Sequence, residues 1–115
     1  MKINASCHCG GVTITTERDS VLGIVKCYCF DCQKLMGNYA PWVVCAKNET
    51  VLDGSVGRYA SSETSERLFC TVCGSSLAKE PLEGEKILIA AGVFSPPLDL
   101  TVIKEVFTED KQAWM

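Results

Sequence analysis

The chain has 115 residues, of which 47% are hydrophobic and 22% are charged, and its formal net charge is -3. This length leaves room for one hydrophobic core, so we expect a single folded domain over residues 1–115. The slightly acidic balance, with no basic run, argues against nucleic-acid binding, and no apolar stretch is long enough to cross a membrane.

The first chemical feature is the motif Cys7-His8-Cys9-Gly10-Gly11. A C-x-C pair brings both sulfurs to one point only where the backbone turns tightly, and the glycines permit such a turn. Residues 12–16 then alternate apolar and polar side chains, which predicts a β-strand. His8 lies between two cysteines and cannot readily face the same metal, so we expect it to pack or to hydrogen-bond around the site.

The second motif is Cys27-Tyr28-Cys29-Phe30-Asp31-Cys32, which offers three thiols without a fourth nearby. Three protein ligands with one exchangeable position are typical of a catalytic zinc site. Residues 31–36 are predicted to form a helical turn, with Asp31 as its N-cap and Gly37 as its end.

The next strand is predicted over residues 42–46, and it contains Cys45. Cys45 is the candidate fourth ligand for the three-thiol motif, although we favour a buried apolar role because free cysteine commonly packs that way. Tyr39 and Trp42 would either line a pocket at that motif or belong to the core. Lys26, Lys34 and Arg67 would either offset its negative charge or lie on the solvated surface.

The third motif, Cys70-Thr71-Val72-Cys73-Gly74, has the spacing of a zinc knuckle. Together with Cys7 and Cys9 it supplies four thiolates, the number that closes a tetrahedral structural site. Strands are also predicted over residues 86–91 and 101–107, and turns lie between the strands at sites rich in glycine or proline. The expected fold is mainly β, with several small coiled antiparallel sheets and zinc knuckles.

Eight cysteines in 115 residues could instead form up to four disulfides. The N-terminus lacks an apolar signal-peptide core, so we expect a cytoplasmic protein, in which this cysteine density indicates metal ligands. A redox dithiol at Cys29 and Cys32 lacks the thioredoxin context, and iron–sulfur sites rarely use C-x-C spacing. We therefore interpret the cysteines as ligands of zinc.

With its three motifs in this order, the chain resembles the glutathione-dependent formaldehyde-activating (GFA) family, which is related to the centromere protein V domain and has an Mss4-like fold. The resemblance covers the motifs beginning at Cys7 and Cys27, the segment Arg67 to Ser75, and the closing Lys111 to Trp114. It implies two zinc ions per chain, a structural one at Cys7, Cys9, Cys70 and Cys73 and a second one at Cys27, Cys29 and Cys32.

The resemblance also implies a carbon–sulfur lyase that adds a thiol to formaldehyde or a related aldehyde, or cleaves such an adduct. The expected partner is a small thiol or a thiol–aldehyde adduct, and the oligomeric state is left open. Many family members carry a P-x-x-H-I motif near the C-terminus, whereas residues 100–104 of this chain contain no histidine. The thiol is therefore glutathione or another small thiol, and the alternative function is a non-catalytic zinc module for protein interaction.

Overall fold

The computed structural model describes all of residues 1–115, which form ten β-strands and one α-helix. The strands are β1 (Lys2–Ser6), β2 (Val12–Glu17), β3 (Gly23–Cys27), β4 (Ala40–Ala46), β5 (Thr50–Gly54), β6 (Val56–Ala60), β7 (Ser65–Cys70), β8 (Ser76–Pro81), β9 (Lys86–Ala90) and β10 (Val102–Val106). The helix α1 spans Phe30–Met36. Single turns of 3-10 helix lie at Arg18–Ser20, Lys47–Glu49, Ala91–Val93 and Thr108–Asp110.

The strands form two sheets. The smaller has the order β1-β2-β5, and the larger has seven strands in the order β10-β3-β4-β9-β8-β7-β6. Every pair is antiparallel except β10 and β3, which are parallel. The prediction of a mainly-β fold is confirmed, and the four segments predicted as strands coincide with β2, β4, β9 and β10.

One face of the seven-stranded sheet carries the main core. The register pairs Val43 with Ile89, Ile89 with Ala78, and Ala78 with Leu68 across four neighbouring strands. Residues directly opposite each other in a ladder point to the same face. These four side chains are buried in one cluster, which also receives Ile14 from the three-stranded sheet.

The opposite face of the same sheet carries a second, smaller core. Cys27 pairs with Ala40, and Trp42 pairs with Ala90, so alternation places these residues on the face away from the main core. Helix α1 adds Cys32 to this cluster. The two cores are therefore separated by the sheet itself.

The helix begins one residue earlier than predicted, and its cap is different. Cys29 is the N-cap, because its Sγ accepts a hydrogen bond from the Cys32 amide at 3.3 Å. The prediction of Asp31 as the cap was wrong, since Asp31 lies inside the first turn and its carboxylate pairs with Arg67. Gly37 ends the helix in the left-handed conformation, as predicted. No helix of the chain combines the length and the apolar content that a membrane span requires.

Candidate metal centres

The four-cysteine cluster consists of Cys7, Cys9, Cys70 and Cys73, whose sulfurs all lie within 4.8 Å of one another. The Sγ atoms of Cys7 and Cys9 are 3.6 Å apart, and those of Cys9 and Cys70 are 3.7 Å apart. Four sulfurs at about 2.3 Å from a tetrahedral zinc ion would be separated by about 3.8 Å. The donor set and its spacing therefore fit a tetrahedral zinc site.

Backbone amides point at the sulfurs of this cluster. Val12 N donates to Cys7 Sγ at 3.2 Å, while the amides of Val72 and Cys73 donate to Cys70 Sγ, both at 3.4 Å. Hydrogen bonds to a thiolate favour its charged form, which is the form that ligates metal. The turns that present these amides follow the cysteines and contain Gly10 and Gly74, both with a positive φ that glycine adopts without strain.

Ser75 supports the cluster from its solvent side. Its Oγ lies 3.1 Å from Cys73 Sγ and accepts a hydrogen bond from the His8 amide at 3.0 Å. The Ser75 hydroxyl, with its amide, lowers the pKa of Cys73 to about 5. His8 thus contacts the site through its backbone amide. The residue is exposed, and its imidazole ring is not among the clustered metal-binding side chains. Ser75 was missed by the sequence analysis, although its position just after the knuckle glycine was a usable signal.

The three-cysteine cluster consists of Cys27, Cys29 and Cys32, whose sulfurs also lie within 4.8 Å of one another. Cys27 is the last residue of β3, and Cys32 lies in the first turn of α1. A strand that ends where a short helix begins therefore folds three thiols from six consecutive residues onto one point. Soft thiolate donors at this spacing fit zinc as well, with one coordination position left for another ligand.

The thiols of Cys27 and Cys32 have pKa values shifted in opposite directions. A hydrogen bond from the Cys32 side chain lowers the pKa of Cys27 to about 5, and the same interaction raises the pKa of Cys32. The indole Nε1 of Trp42 is buried without a hydrogen-bond partner, and the Trp42 side chain partly opposes the rise in the pKa of Cys32. Without a cation Cys27 is thus readily deprotonated and Cys32 resists deprotonation, and a bound metal ion would favour the thiolate form of both.

Cys45 cannot supply the missing ligand. It lies on β4 among the residues of the main core, on the sheet face away from the three-cysteine cluster. Its Sγ lies 3.7 Å from the carbonyl oxygen of Val43, and burial raises the pKa of the Cys45 thiol to about 11. The interpretation of Cys45 as a buried apolar residue agrees with this position, and the three-cysteine cluster has no fourth protein donor beside it.

The C-terminal segment holds the three-cysteine cluster in place. The buried Gln33 side chain donates from Nε2 to the carbonyl oxygens of Tyr28 and Asp110 at 2.7 and 2.8 Å, and its Oε1 accepts from Gln112 Nε2 at 2.7 Å. Tyr28 also donates its hydroxyl to Glu105 at 2.8 Å, which raises the pKa of Tyr28. The sequence analysis missed Gln33, since nothing in the sequence shows that residues 79 positions away meet it.

The charged and aromatic residues near this cluster have separate partners. Lys26 Nζ lies 4.9 Å from the ring centre of Tyr39, and the Tyr39 ring packs against Tyr28. Trp42 is fully buried in the smaller core, and Lys34 is exposed on α1. Arg67 is committed to Asp31, the helix residue beside Cys32, through the carboxylate and through the carbonyl oxygen at 3.3 Å.

A cleft of about 660 Å³ opens next to this helix. Its ten lining residues come from the start of α1, the β6–β7 turn and the β8–β9 region: Asp31, Ser61, Ser62, Glu63, Thr64, Ser65, Lys79, Pro81, Leu82 and Glu83. The positive charge of Lys79 also contributes to the low pKa of Cys27, although the Cys32 hydrogen bond contributes most. Asp31, which lines the cleft, lies between Cys29 and Cys32 in the chain, so the cleft adjoins the segment that carries the cluster. The sequence had singled out none of the hydroxyl residues or Lys79.

Comparison with known proteins gives a family and a fold. The family model described as glutathione-dependent formaldehyde-activating enzyme matches residues 2–110. Among curated proteins, none matches the chain. The crystal structure of a Rhodobacter sphaeroides protein from a structural genomics programme superposes with a TM-score of 0.72 and 19% identity, covering 90% of this chain and 99% of that one. At that identity the structural likeness concerns the fold alone.

Proposed function

Because this chain belongs to the glutathione-dependent formaldehyde-activating enzyme family, we propose that it is a zinc-dependent carbon–sulfur lyase. In this reaction a small thiol adds to formaldehyde or a related aldehyde, or the resulting adduct is cleaved. The observation that carries the proposal is the three-cysteine cluster, which has no fourth protein donor and lies in the same motif as Asp31, a residue that lines an open cleft. A site that only stabilised the fold would be expected to have four protein ligands.

Two zinc ions per chain are proposed, one in each cluster, with Cys7, Cys9, Cys70 and Cys73 as structural ligands. Cys27, Cys29 and Cys32 would hold the second ion. When bound there, zinc would supply a Lewis-acidic coordination position that keeps a substrate thiol deprotonated near neutral pH. Three cysteine thiolates leave that centre with a formal charge near -1, which favours holding a thiol over strong activation of a carbonyl group.

The reaction itself requires little beyond positioning. The thiol releases its proton to solvent on binding, its sulfur forms a bond to the aldehyde carbon, the C=O double bond becomes a single bond, and the oxygen takes up a proton from solvent. The residues of this chain would hold the thiol at one point beside the cleft, so that the aldehyde meets it in a fixed orientation. Gln33 and Tyr28 keep the cysteine loop rigid for that purpose.

A cytoplasmic location is part of the proposal. All eight cysteines are unpaired, which fits the reducing compartment in which thiol substrates and thiolate ligands persist. The net charge of -3 likewise favours small molecules over nucleic acid as partners.

The test combines metal content with adduct formation. We expect mass spectrometry of the zinc-loaded protein to find two zinc ions per chain, and NMR to show faster formation of the adduct from formaldehyde and glutathione or cysteine. Cys29→Ser should abolish that acceleration with the fold retained, whereas Cys45→Ser, a thiol lost outside both clusters, should preserve it. One zinc ion per chain without any acceleration would reject the lyase in favour of a non-catalytic zinc module.

A further inference from the structure

The cleft beside the three-cysteine cluster contains one cation without a partner. Lys79 lies on β8, and its side chain forms neither an ion pair nor a hydrogen bond within the chain, whereas Arg67 pairs with Asp31 and Arg58 pairs with Glu66 and Glu80. Lys79 is also only partly exposed. A partly buried ammonium group is stabilised by an anionic partner, and this chain does not provide one.

The register of the sheet places Lys79 on the face that carries the three-cysteine cluster. Lys79 pairs with Leu88 on β9 and with Arg67 on β7. Leu88 packs against the smaller core that contains Cys27 and Cys32. Directly paired residues share one face of a sheet, so Lys79 lies between Leu88 and Arg67 on the face that carries the cluster.

Hydroxyl groups complete this wall of the cleft. Ser61, Ser62, Thr64 and Ser65 line it, and their side chains already hydrogen-bond among themselves at 3.1 to 3.3 Å. A hydroxyl group both accepts and donates, so each of them can also donate to a bound oxygen. Only one of the ten lining residues is hydrophobic, which suits a polar ligand.

The other charges of the cleft limit which anion it can take. Asp31 is neutralised by Arg67, but Glu63 and Glu83 line the cleft and are exposed. These two carboxylates repel a ligand that carries several negative charges more strongly than a ligand with a single carboxylate. An ammonium group on the same ligand would be attracted by either glutamate.

From this arrangement we infer that Lys79 is a specificity-determining residue, which binds a carboxylate carried by the thiol substrate while the sulfur lies at the three-cysteine cluster. The preferred substrates are therefore small thiols with a single nearby carboxylate, and neutral or polyphosphorylated thiols are disfavoured. This inference rests on the proposed function for the placement of the sulfur, and it adds the residue that selects among thiols.

The inference is tested by comparing two thiols of similar length, 3-mercaptopropionate and neutral 3-mercaptopropanol, on the zinc-loaded protein. Their dissociation constants are measured by NMR titration, following the amides of residues 61–65, so the readout does not depend on turnover. The thiol group is common to both, so the ratio of the two constants isolates the carboxylate. We expect 3-mercaptopropionate to bind about fivefold to tenfold more tightly at low salt.

Three variants test whether Lys79 is responsible for the tighter binding of the carboxylate thiol. Lys79→Gln should remove it by weakening only the carboxylate thiol, and Lys79→Arg, which keeps the charge, should retain it. Lys86→Gln removes an exposed lysine on the neighbouring strand β9 outside the cleft and should change neither constant. The preference should also shrink at 1 M salt, because the screening length falls from about 10 Å at 0.1 M to about 3 Å.

The outcomes separate this inference from the proposed function. An unchanged preference in Lys79→Gln, equal binding of both thiols, or no saturable binding of either one would refute the role of Lys79. Turnover without a charge preference would refute that role and leave the lyase standing. A Lys79-dependent preference without any turnover would support the binding role and reject the lyase.

Discussion

The two cysteine clusters of this molecule differ in how the chain supplies their sulfurs. The four-cysteine cluster joins the β1–β2 turn to the β7–β8 turn, and Cys9 and Cys70 are separated by 61 positions. The three-cysteine cluster draws all its sulfurs from six consecutive residues between β3 and α1. The first therefore connects the three-stranded sheet to the seven-stranded sheet, whereas the second is a local structure on one face of the larger sheet.

This difference shows how two sets of thiols with the same chemistry can have different roles. A long-range link constrains the whole chain, so metal bound there contributes to folding. A local loop is already shaped by its strand, its helix and the C-terminal segment, so metal bound there contributes less to the fold. The open coordination position proposed for the second zinc ion would lie in the local cluster, where an exchangeable ligand would not disturb the tertiary structure.

The strongest test of this comparison removes one sulfur from each cluster. A structural zinc site contributes about 10 kcal/mol or more, as much as the net stability of a typical domain. We expect Cys70→Ser to lose its cooperative thermal transition in circular dichroism, while Cys29→Ser keeps one. Cys45→Ala serves as the control, since it removes a thiol outside both clusters. If both ligand variants melted within a few degrees of the parent, the structural role of the four-cysteine cluster would be wrong.

A chelator should remove zinc from the two clusters one after the other. We expect a first zinc ion to leave the three-cysteine cluster with little change in far-ultraviolet circular dichroism, and a second to leave the four-cysteine cluster together with unfolding. The reason is that three protein donors would leave a coordination position at which the chelator can attach, whereas four protein donors close the second site. Release of both ions in one step that coincides with unfolding would contradict this order. The loss of each metal ion is measured by the absorption of the protein in which cobalt replaces zinc.

Gln33→Met tests the support of the local cluster. The substitution keeps the size of the side chain but removes three hydrogen bonds and leaves the buried Tyr28 carbonyl without one of its donors, which should cost about 2 to 3 kcal/mol. We expect zinc affinity at the three-cysteine cluster to fall by about 10- to 100-fold. This affinity is measured by competition with a fluorescent zinc chelator. Unchanged affinity at that cluster, or an equal loss at both clusters, would reject this role of Gln33.

Ser75→Ala is the corresponding change at the four-cysteine cluster, with a smaller expected effect. It removes the hydroxyl that contacts Cys73 and accepts from the His8 amide, at a cost of about 1 kcal/mol in the free energy of unfolding. Chemical denaturation measures this loss. Since Ser75 contacts only the four-cysteine cluster, the thiol affinities of the other cluster should stay at their parent values, and a change there would show that the clusters are coupled.

Much of the candidate site could be predicted from the sequence because its chemistry is local. The spacings C-x-C, C-x-C-x-x-C and C-x-x-C-G each bring thiols together within a few residues, so they indicate metal binding without a tertiary structure. Strands with clear alternation, such as β2, were predicted for the same reason. The helix cap was not, because a cysteine thiol that accepts a backbone hydrogen bond is an unusual cap and Asp31 satisfied the ordinary rule.

The remainder depended on contacts between distant parts of the chain. Cys45 follows the cysteine motif by thirteen residues, yet the sheet separates them, because alternation along β4 points Cys45 into the main core and Trp42 to the other face. Gln33 meets Gln112, and Lys79 lies on the face of Cys27, only because strand order and register bring them there. The sequence by itself thus determined which residues can bind metal, since ligand chemistry and short spacings are local. Only the tertiary structure decided which face of the sheet each residue occupies, since register is set by long-range pairing.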